Sequence, residues 1–360
     1  MTASFRSEEP GSPPLRRLVM PSGPGTWGTA LDDARLGFVG PNGEKVIARV
    51  SLCMHASGPT EVSCFTLIGP AAQATFLTDL LTAIETWMAV HPHLRGAKLD
   101  AKGEFLKRDR AYTWDDIVLA PSIRAEVDAH LLKFVARLPQ YQALGLPTKR
   151  GVLLVGPPDT GKTLLGKILC STLPTTFLWV SPGQLGDAAH LGWLFNLARE
   201  LQPAILFLED LDLYASRWTG GDVALGELLN QLDGFAGNRG LLTIATTNDL
   251  QAIEPALADR PSRFDRIVRL DPPGMPERLA LLRRFLQPFP HPEECLPDLA
   301  VASDGLTGAH LQEVVYLAVQ AAFDEQDLGG SEPPPLTPDV LQETLRCVRQ
   351  QRPGSAGFYV

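Results

Sequence analysis

Apolar residues recur with two different periods along this chain, and the changes of period divide it. From Lys45 to Met54 they alternate, with Val46, Ala48, Val50, Leu52 and Met54 on one side, the signature of a half-buried strand. Glu61 to Ile68 reads as a second strand. From Ala71 to Val90 the period lengthens: Phe76, Leu80, Ile84 and Met88 make one helical stripe, which Leu77, Leu81 and Trp87 widen. From Tyr112 to about Asp271, short continuous apolar runs alternate with helical stretches, which predicts a parallel sheet with helices on both faces. Gly151–Val155, Ala204–Leu208 and Leu241–Ala245 are three such runs. From Pro276 the pattern is helical, broken by the proline-rich stretch Gly329 to Pro335.

The expected organisation is therefore a Pro-, Gly- and Ser-rich disordered tail over 1–30, then a small α+β domain over 31–110. An α/β subdomain over 111–272, a small helical subdomain over 273–350 and a flexible tail over 351–360 follow.

Where the strand Gly151–Val155 ends, the chain reads Gly156-Pro-Pro-Asp159-Thr160-Gly161-Lys162-Thr163, and a helical pattern starts at Leu164. Strand, glycine-rich turn and helix are the context that the G-x-x-x-x-G-K-[ST] phosphate loop needs. Backbone N–H groups of Asp159 to Thr163 can converge on phosphate oxygens at a helix N-terminus, where the dipole favours anions. Lys162 would reach the outer phosphates and the Thr163 hydroxyl would sit on Mg²⁺. Gly156, Asp159, Thr160, Gly161, Lys162, Thr163 and Leu164 are the residues expected at the nucleotide, with ATP and Mg²⁺ as the cofactors.

The run Ala204–Leu208 ends in Glu209-Asp210-Leu-Asp212. Strands often end in acids for solvation alone, but acids at three of four positions after a fully apolar run suit a metal–phosphate. One carboxylate, Glu209, holds the metal, and the next, Asp210, polarises the attacking water. The run Leu241–Ala245 leads to Thr246-Thr247-Asn248, whose amide could orient that water or touch the γ-phosphate. Arg260 and Arg263 lie in a basic cluster that, by itself, would be a solvated loop.

Charge and composition limit the alternatives. A net charge of −9 gives no reason to expect nucleic acid. Five scattered cysteines without C-x-x-C spacing read as reduced thiols of a cytoplasmic protein. No apolar run approaches the ~20 residues that span a bilayer, so no membrane partner is expected. His91-Pro-His93 reads as a surface turn rather than a metal site.

Taken in order, these motifs resemble the AAA clade of AAA+ ATPases from about residue 112 to 350. Tyr112 to Ile117 is similar to that family's F-D-D-I entry, with Val118 and Leu119 where the family has glycines; the resemblance implies that Ile117 and Val118 frame the adenine. Asn230 to Phe235 is similar to its N-Q-L-L-x-E-M-D-G-F segment, which communicates between subunits. Arg260 and Arg263 match its paired arginine fingers, which implies that they act on a neighbour's γ-phosphate in a homo-oligomeric ring, expected to be a hexamer. Ser303 to His310 resembles the lid motif whose glycine and alanine, here Gly308 and Ala309, back the nucleotide. Thr337 to Val348 resembles the last lid helix.

Three departures from that pattern carry information. Asp159 replaces a glycine, which puts negative charge beside a polyanion in a slot with unusual backbone angles. Translational GTPases are similar, with Asp in the same slot of G-H-V-D-H-G-K-T. The usual Asp-Glu order is inverted to Glu209-Asp210, as in the mitochondrial Rieske-protein translocase and related plant ATPases. The segment between Phe177 and Leu194 is short and offers Gly183-Gln184-Leu185-Gly186 where unfoldases of this clade carry an aromatic pore loop. Trp193 is expected to pack in the core. The terminal Phe358-Tyr359-Val360 is similar to the hydrophobic-Tyr-any tripeptide with which proteasomal relatives dock on a protease core; a tail packed on its own lid is the other reading.

The sequence thus predicts an ATP-hydrolysing ring motor for protein remodelling, whose 31–110 domain selects an unknown protein client. An ATP-binding switch or scaffold with little turnover is the alternative. A DNA-associated loader is disfavoured by the acidic balance.

Overall fold

The structure is a computed structural model describing residues 16–23, 26–32, 34–39, 42–54, 61–90, 94–106, 109–184, 188–213, 228, 231–232, 239–251, 253, 264–326 and 334–351. The chain divides into two compact units, 1–97 with 105–107, and 98–104 with 108–360.

In the first unit, β1 (Arg16–Gly23) and β2 (Thr26–Asp32) form an antiparallel hairpin. The composition predicts a disordered tail over 1–30, whereas 16–23 and 26–30 are strand. Pro, Gly and Ser are turn formers as well as residues of disordered segments, so composition does not separate a hairpin from a tail. The antiparallel sheet β3 (Ala34–Val39), β4 (Lys45–Met54), β5 (Glu61–Ile68) follows. Val46 and Ala48 of β4 are buried, whereas Ile47 and its β5 partner Ile68 are exposed, as a period of two requires. α1 (Ala74–Val90) carries half-buried Phe76, Leu77, Leu80 and Ile84; Leu81, expected to widen the stripe, is exposed.

The second unit opens with β6 (Lys98–Asp100), inside the span assigned to the small domain. β6 pairs with β8 in the main sheet, and the buried Lys98 ammonium adds donors to the carbonyls of Leu173 and Thr175, both at 2.6 Å. A helical segment comes next, α2 (Pro121–Val127) running through π-helical Asp128–Leu132 into α3 (Lys133–Ala136), then α4 (Leu138–Ala143). The remaining strands are β7 (Arg150–Val155), β8 (Thr176–Val180), β9 (Ala204–Leu208), β10 (Leu241–Thr247) and β11 (Arg266–Arg269), with α5 (Lys162–Thr172) and α6 (Ala188–Glu200) between them.

All six strands are parallel, in the order β11-β7-β10-β9-β8-β6. After β7 the chain crosses to β8, returns through β9 and β10, and finishes on the other edge of β7. That reversal opens a crevice at the carboxyl ends of β7, β9 and β10, where open α/β sheets bind ligands. Burial alternates by face. Leu206 and Leu208 of β9 pack with Leu191, Leu194 and Phe195 of α6, while Phe207 faces α5, where a Cβ on Gly166 would stand 2.4 Å from its ring.

A helical subdomain closes the described chain: α7 (Met275–Leu286), α8 (Leu296–Ala302), α9 (Gly308–Gln326) and α10 (Pro338–Gln350). Its own core includes Leu282, Leu311, Val314 and Leu341. Buried Arg278 ties α7 to α8 by donating to the Ala300 and Pro273 carbonyls at 2.9 Å and pairing with Asp304 at 3.0 Å. Thr337 caps α10 by accepting from the Val340 N–H. Among the described residues, no helix is long and apolar enough to cross a membrane.

Candidate functional site

The loop after β7 turns through two left-handed residues, Asp159 at φ 62° and Gly161 at φ 96°. Glycine takes that conformation freely and Asp is among the less penalised replacements, so the loop tolerates the carboxylate at position 159. Gly156 is fixed by space: a Cβ there would stand 2.0 Å from the Leu270 carbonyl oxygen, which is held in place because the Leu270 N–H donates to Val155 at 2.7 Å. Lys162 begins α5 buried, its ammonium donating to the carbonyls of Gly156 and Pro157 at 2.7 Å each. Burial lowers its pKa, against the opposing pull of Asp210, Asp212 and Asp159.

One strand, β9, brings the acids to this loop, and its neighbours β8 and β10 supply their partners. The Thr163 hydroxyl donates to Glu209 Oε1 at 2.9 Å. The other oxygen, Oε2, accepts from Trp179 Nε1 at 2.9 Å and Ser181 Oγ at 2.7 Å. Asp210 follows with a left-handed backbone at φ 47°. Its N–H donates to Thr246 Oγ1 at 2.9 Å, and its Oδ1 accepts from Asn248 Nδ2 at 3.3 Å. Burial, then the like charges of Asp212 and Glu209, push the Asp210 pKa above its ordinary value. Asp212 Oδ1 accepts from Thr247 Oγ1 at 3.0 Å and from the Asn248 N–H at 3.1 Å, so it sets the turn that carries Asn248.

The loop and the strand ends border a cleft of about 1020 Å³. Residues 159 to 164 line it from the loop, Asp210 and Asn248 from the strand ends, Ile117 and Val118 from the entry segment, and Gly308 and Ala309 from the start of α9. Gly156 and Glu209 stand behind that lining, Gly156 buried and Glu209 half-buried. Ile117 reaches the loop, its side chain 3.3 Å from where a Cβ on Gly161 would be. Its segment is held by a capping box in which the Thr113 N–H donates to Asp116 Oδ2 at 2.7 Å. Asp116 also pairs with Arg110 at 2.9 Å and with Arg284 of α7 at 3.5 Å, linking the entry segment to the helical subdomain.

Thr163 Oγ1 and Glu209 Oε1 form a pair of hard oxygens at a helix N-terminus, a donor set that suits Mg²⁺ bound to a phosphate. The buried cation, the left-handed turns and the helix start form the matching half for a polyphosphate.

Several expected residues lie outside the described ones: Arg260, Arg263, Asn230, Asp233–Phe235, Leu185, Gly186 and Phe358–Val360. Trp193, expected in the core, is 43% exposed and lays its ring over Gly103, beside the His190 ring. Trp179, Ser181 and Asp212 are functional neighbours for which the sequence motifs predict no separate role. Trp179 and Ser181 share one face at the end of β8, and only the parallel β8–β9 register brings them to Glu209.

Residues 152–272 match the family described as "ATPase family associated with various cellular activities (AAA)". An ATP-dependent zinc metalloprotease FtsH 2 of Sphaerobacter thermophilus is 34% identical over 233 residues, 61% of this chain and 35% of that protein. A "probable inactive ATP-dependent zinc metalloprotease FTSHI 2, chloroplastic" of Arabidopsis thaliana is 34% identical over 231 residues, 60% of this chain and 26% of that protein. An ATP-dependent zinc metalloprotease FtsH of Mycoplasma mobile is 32% identical over 341 residues, 87% of this chain and 45% of that protein. The chain spans about a third to a half of the first and last of these relatives and about a quarter of the second. ATP with Mg²⁺ is the ligand pair of that family, and the loop, the buried lysine and the Thr163–Glu209 oxygens fit it. With this strand order, this phosphate loop and these matches, residues 152–272 are an ATPase domain of the AAA family.

Proposed function

We propose that this chain is an ATP-hydrolysing motor that works as a homo-oligomeric ring, expected to be a hexamer, and remodels protein clients. The observation that carries the reading is the convergence of three strand ends on one cleft: the loop after β7, Glu209-Asp210 after β9 and Asn248 after β10.

On this reading Lys162 exchanges its two loop carbonyls for the outer phosphate oxygens of ATP. Thr163 and Glu209 hold Mg²⁺, which when bound would neutralise phosphate charge and orient the triphosphate. Asp210 takes a proton from the attacking water as a general base, and Asn248 keeps its carboxylate aimed. Arg260 and Arg263 act on the site of the neighbouring subunit. The 31–110 region chooses the client. Phe358-Tyr359-Val360 is proposed as a docking tail only for a protease partner. The protease chemistry named for the relatives is said of those proteins.

The Asp159 carboxylate, carried on the phosphate loop, favours a second reading: an ATP-binding switch with negligible turnover. Steady-state ATP turnover against protein concentration separates the two. The motor predicts turnover above that of Lys162→Ala, rising faster than linearly as rings assemble. Turnover equal to the Lys162→Ala background at every concentration supports the switch.

A further inference from the structure

We infer that Trp179 and Ser181 are positioning residues that lock Glu209 in one rotamer and thereby set its remaining oxygen on the divalent cation. This rests on the reading of the cleft as a Mg²⁺–triphosphate site.

The placement follows from strand register. β8 and β9 are parallel, with Trp179 opposite Phe207. Two residues further on, Ser181 and Glu209 fall on the same face, the one that meets α5 and its first residues Lys162 and Thr163. Glu209 is tied to β8 through its backbone too, its N–H donating to the Val180 carbonyl at 2.9 Å. The indole is itself fixed. Trp179 is 8% exposed, and its ring lies tilted against Phe207 at 4.5 Å and stacked with Phe177 at 6.0 Å between centroids. Behind it, Trp179 is paired by its backbone to Asp100 of β6, so β8 is held on both edges.

The chemistry explains why a glutamate needs this clamp. Glutamate has one more rotatable bond than aspartate, and an unrestrained carboxylate spreads over several rotamers. Here Oε2 takes two donors, Trp179 Nε1 and Ser181 Oγ, which leaves Oε1 facing Thr163 Oγ1 at 2.9 Å. Partners that orient a metal-binding carboxylate in this way typically change metal affinity by roughly 10–100-fold when removed. An aspartate at position 209 would end about one C–C bond, ~1.5 Å, short of the indole. The glutamate and its tryptophan therefore belong together.

The test measures ATP binding by calorimetry with and without Mg²⁺ for the full chain. Trp179→Phe keeps the ring packed and deletes the donor; Ser181→Ala deletes the other donor at a half-buried position where folding is less at risk. Each is expected to cut the affinity gain from Mg²⁺ by about tenfold, the lower end for such partners, with metal-free ATP binding unchanged. In a Glu209→Asp background, Trp179→Phe is expected to change that gain by less than about twofold, because the shorter carboxylate has no bond to the indole to lose. A second readout uses the metal-free, nucleotide-free protein: one indole Nε1–H resonance, lost in Trp179→Phe, should move upfield in Glu209→Ala. Wild-type Mg²⁺ dependence that neither single variant alters would overturn the clamp alone, as would an equal loss in the Glu209→Asp background. A wild-type protein that binds ATP no better with Mg²⁺ would overturn the reading of the site, and the clamp with it.

Discussion

The phosphate loop and the end of β9 each carry one acidic departure from the family pattern, and the structure treats the two differently. Asp159 is exposed, sits at φ 62°, and its carboxylate takes no hydrogen bond among the described residues. Glu209 is half-buried and tied by donors from three side chains, Thr163, Trp179 and Ser181. One substitution is tolerated by the backbone alone; the other is built into its surroundings. A tolerated residue should be improvable by reversion, whereas an integrated residue should be damaged by it.

The largest effect is expected where the loop has no freedom. Gly156→Ala places a methyl 2.0 Å from a hydrogen-bonded backbone oxygen, so either the loop or Leu270 must move. Overpacking of this kind costs about 1–3 kcal/mol, and the displaced loop should lose ATP binding. Gly166→Ala, aimed at the Phe207 ring beside the clamp, should cost a similar amount of stability while leaving the loop backbone in place. Thermal unfolding and ATP titration measure both, and an unchanged Gly156→Ala would show the loop to be softer than its contacts indicate.

Restoring the family order is the next largest. Glu209→Asp with Asp210→Glu should lower turnover by roughly tenfold or more, because it breaks the bonds to Trp179 and Ser181. A faster enzyme would mean that Glu209 is tolerated in the same sense as Asp159.

The pH dependence comes third. Burial, with Asp212 and Glu209 nearby, raises the Asp210 pKa. A general base works only when ionised, so turnover should fall as pH drops through that raised value, at higher pH than an ordinary carboxylate would give. Asp212→Asn removes one of the like charges while keeping an oxygen for Thr247 and Asn248. It should move that acid limb to lower pH. An upward or absent shift would assign the limb to another group.

The smallest effect is at Asp159. Asp159→Gly relieves a left-handed residue and removes repulsion worth ~1 kcal/mol after screening, so ATP should bind several-fold tighter and leave more slowly. Equal or weaker binding in a calorimetric titration would refute the repulsion.

Much of the α/β core and its cleft was legible because it is written in local signals. Apolar runs gave β7, β9 and β10, the glycines gave the loop, and the acids and Asn248 followed their strands directly. What stayed hidden depends on pairing between segments distant in sequence. The extra edge strand β6 is only three residues long and is recognisable by its partner, not by its own pattern. Trp179 reads as one more apolar residue of a buried strand until the β8–β9 register places its indole against Glu209. The hairpin β1–β2 was hidden by composition, since turn-rich sequence and disorder share the same residues.

The division of labour between the two acids is most exposed to a single comparison, ATP binding and single-turnover hydrolysis by Asp210→Asn beside the wild type. With Glu209 on the metal and Asp210 on the water, the variant should bind Mg²⁺–ATP as tightly as the wild type and hydrolyse it on the order of 10²-fold more slowly or worse. Full hydrolysis by Asp210→Asn would contradict that assignment.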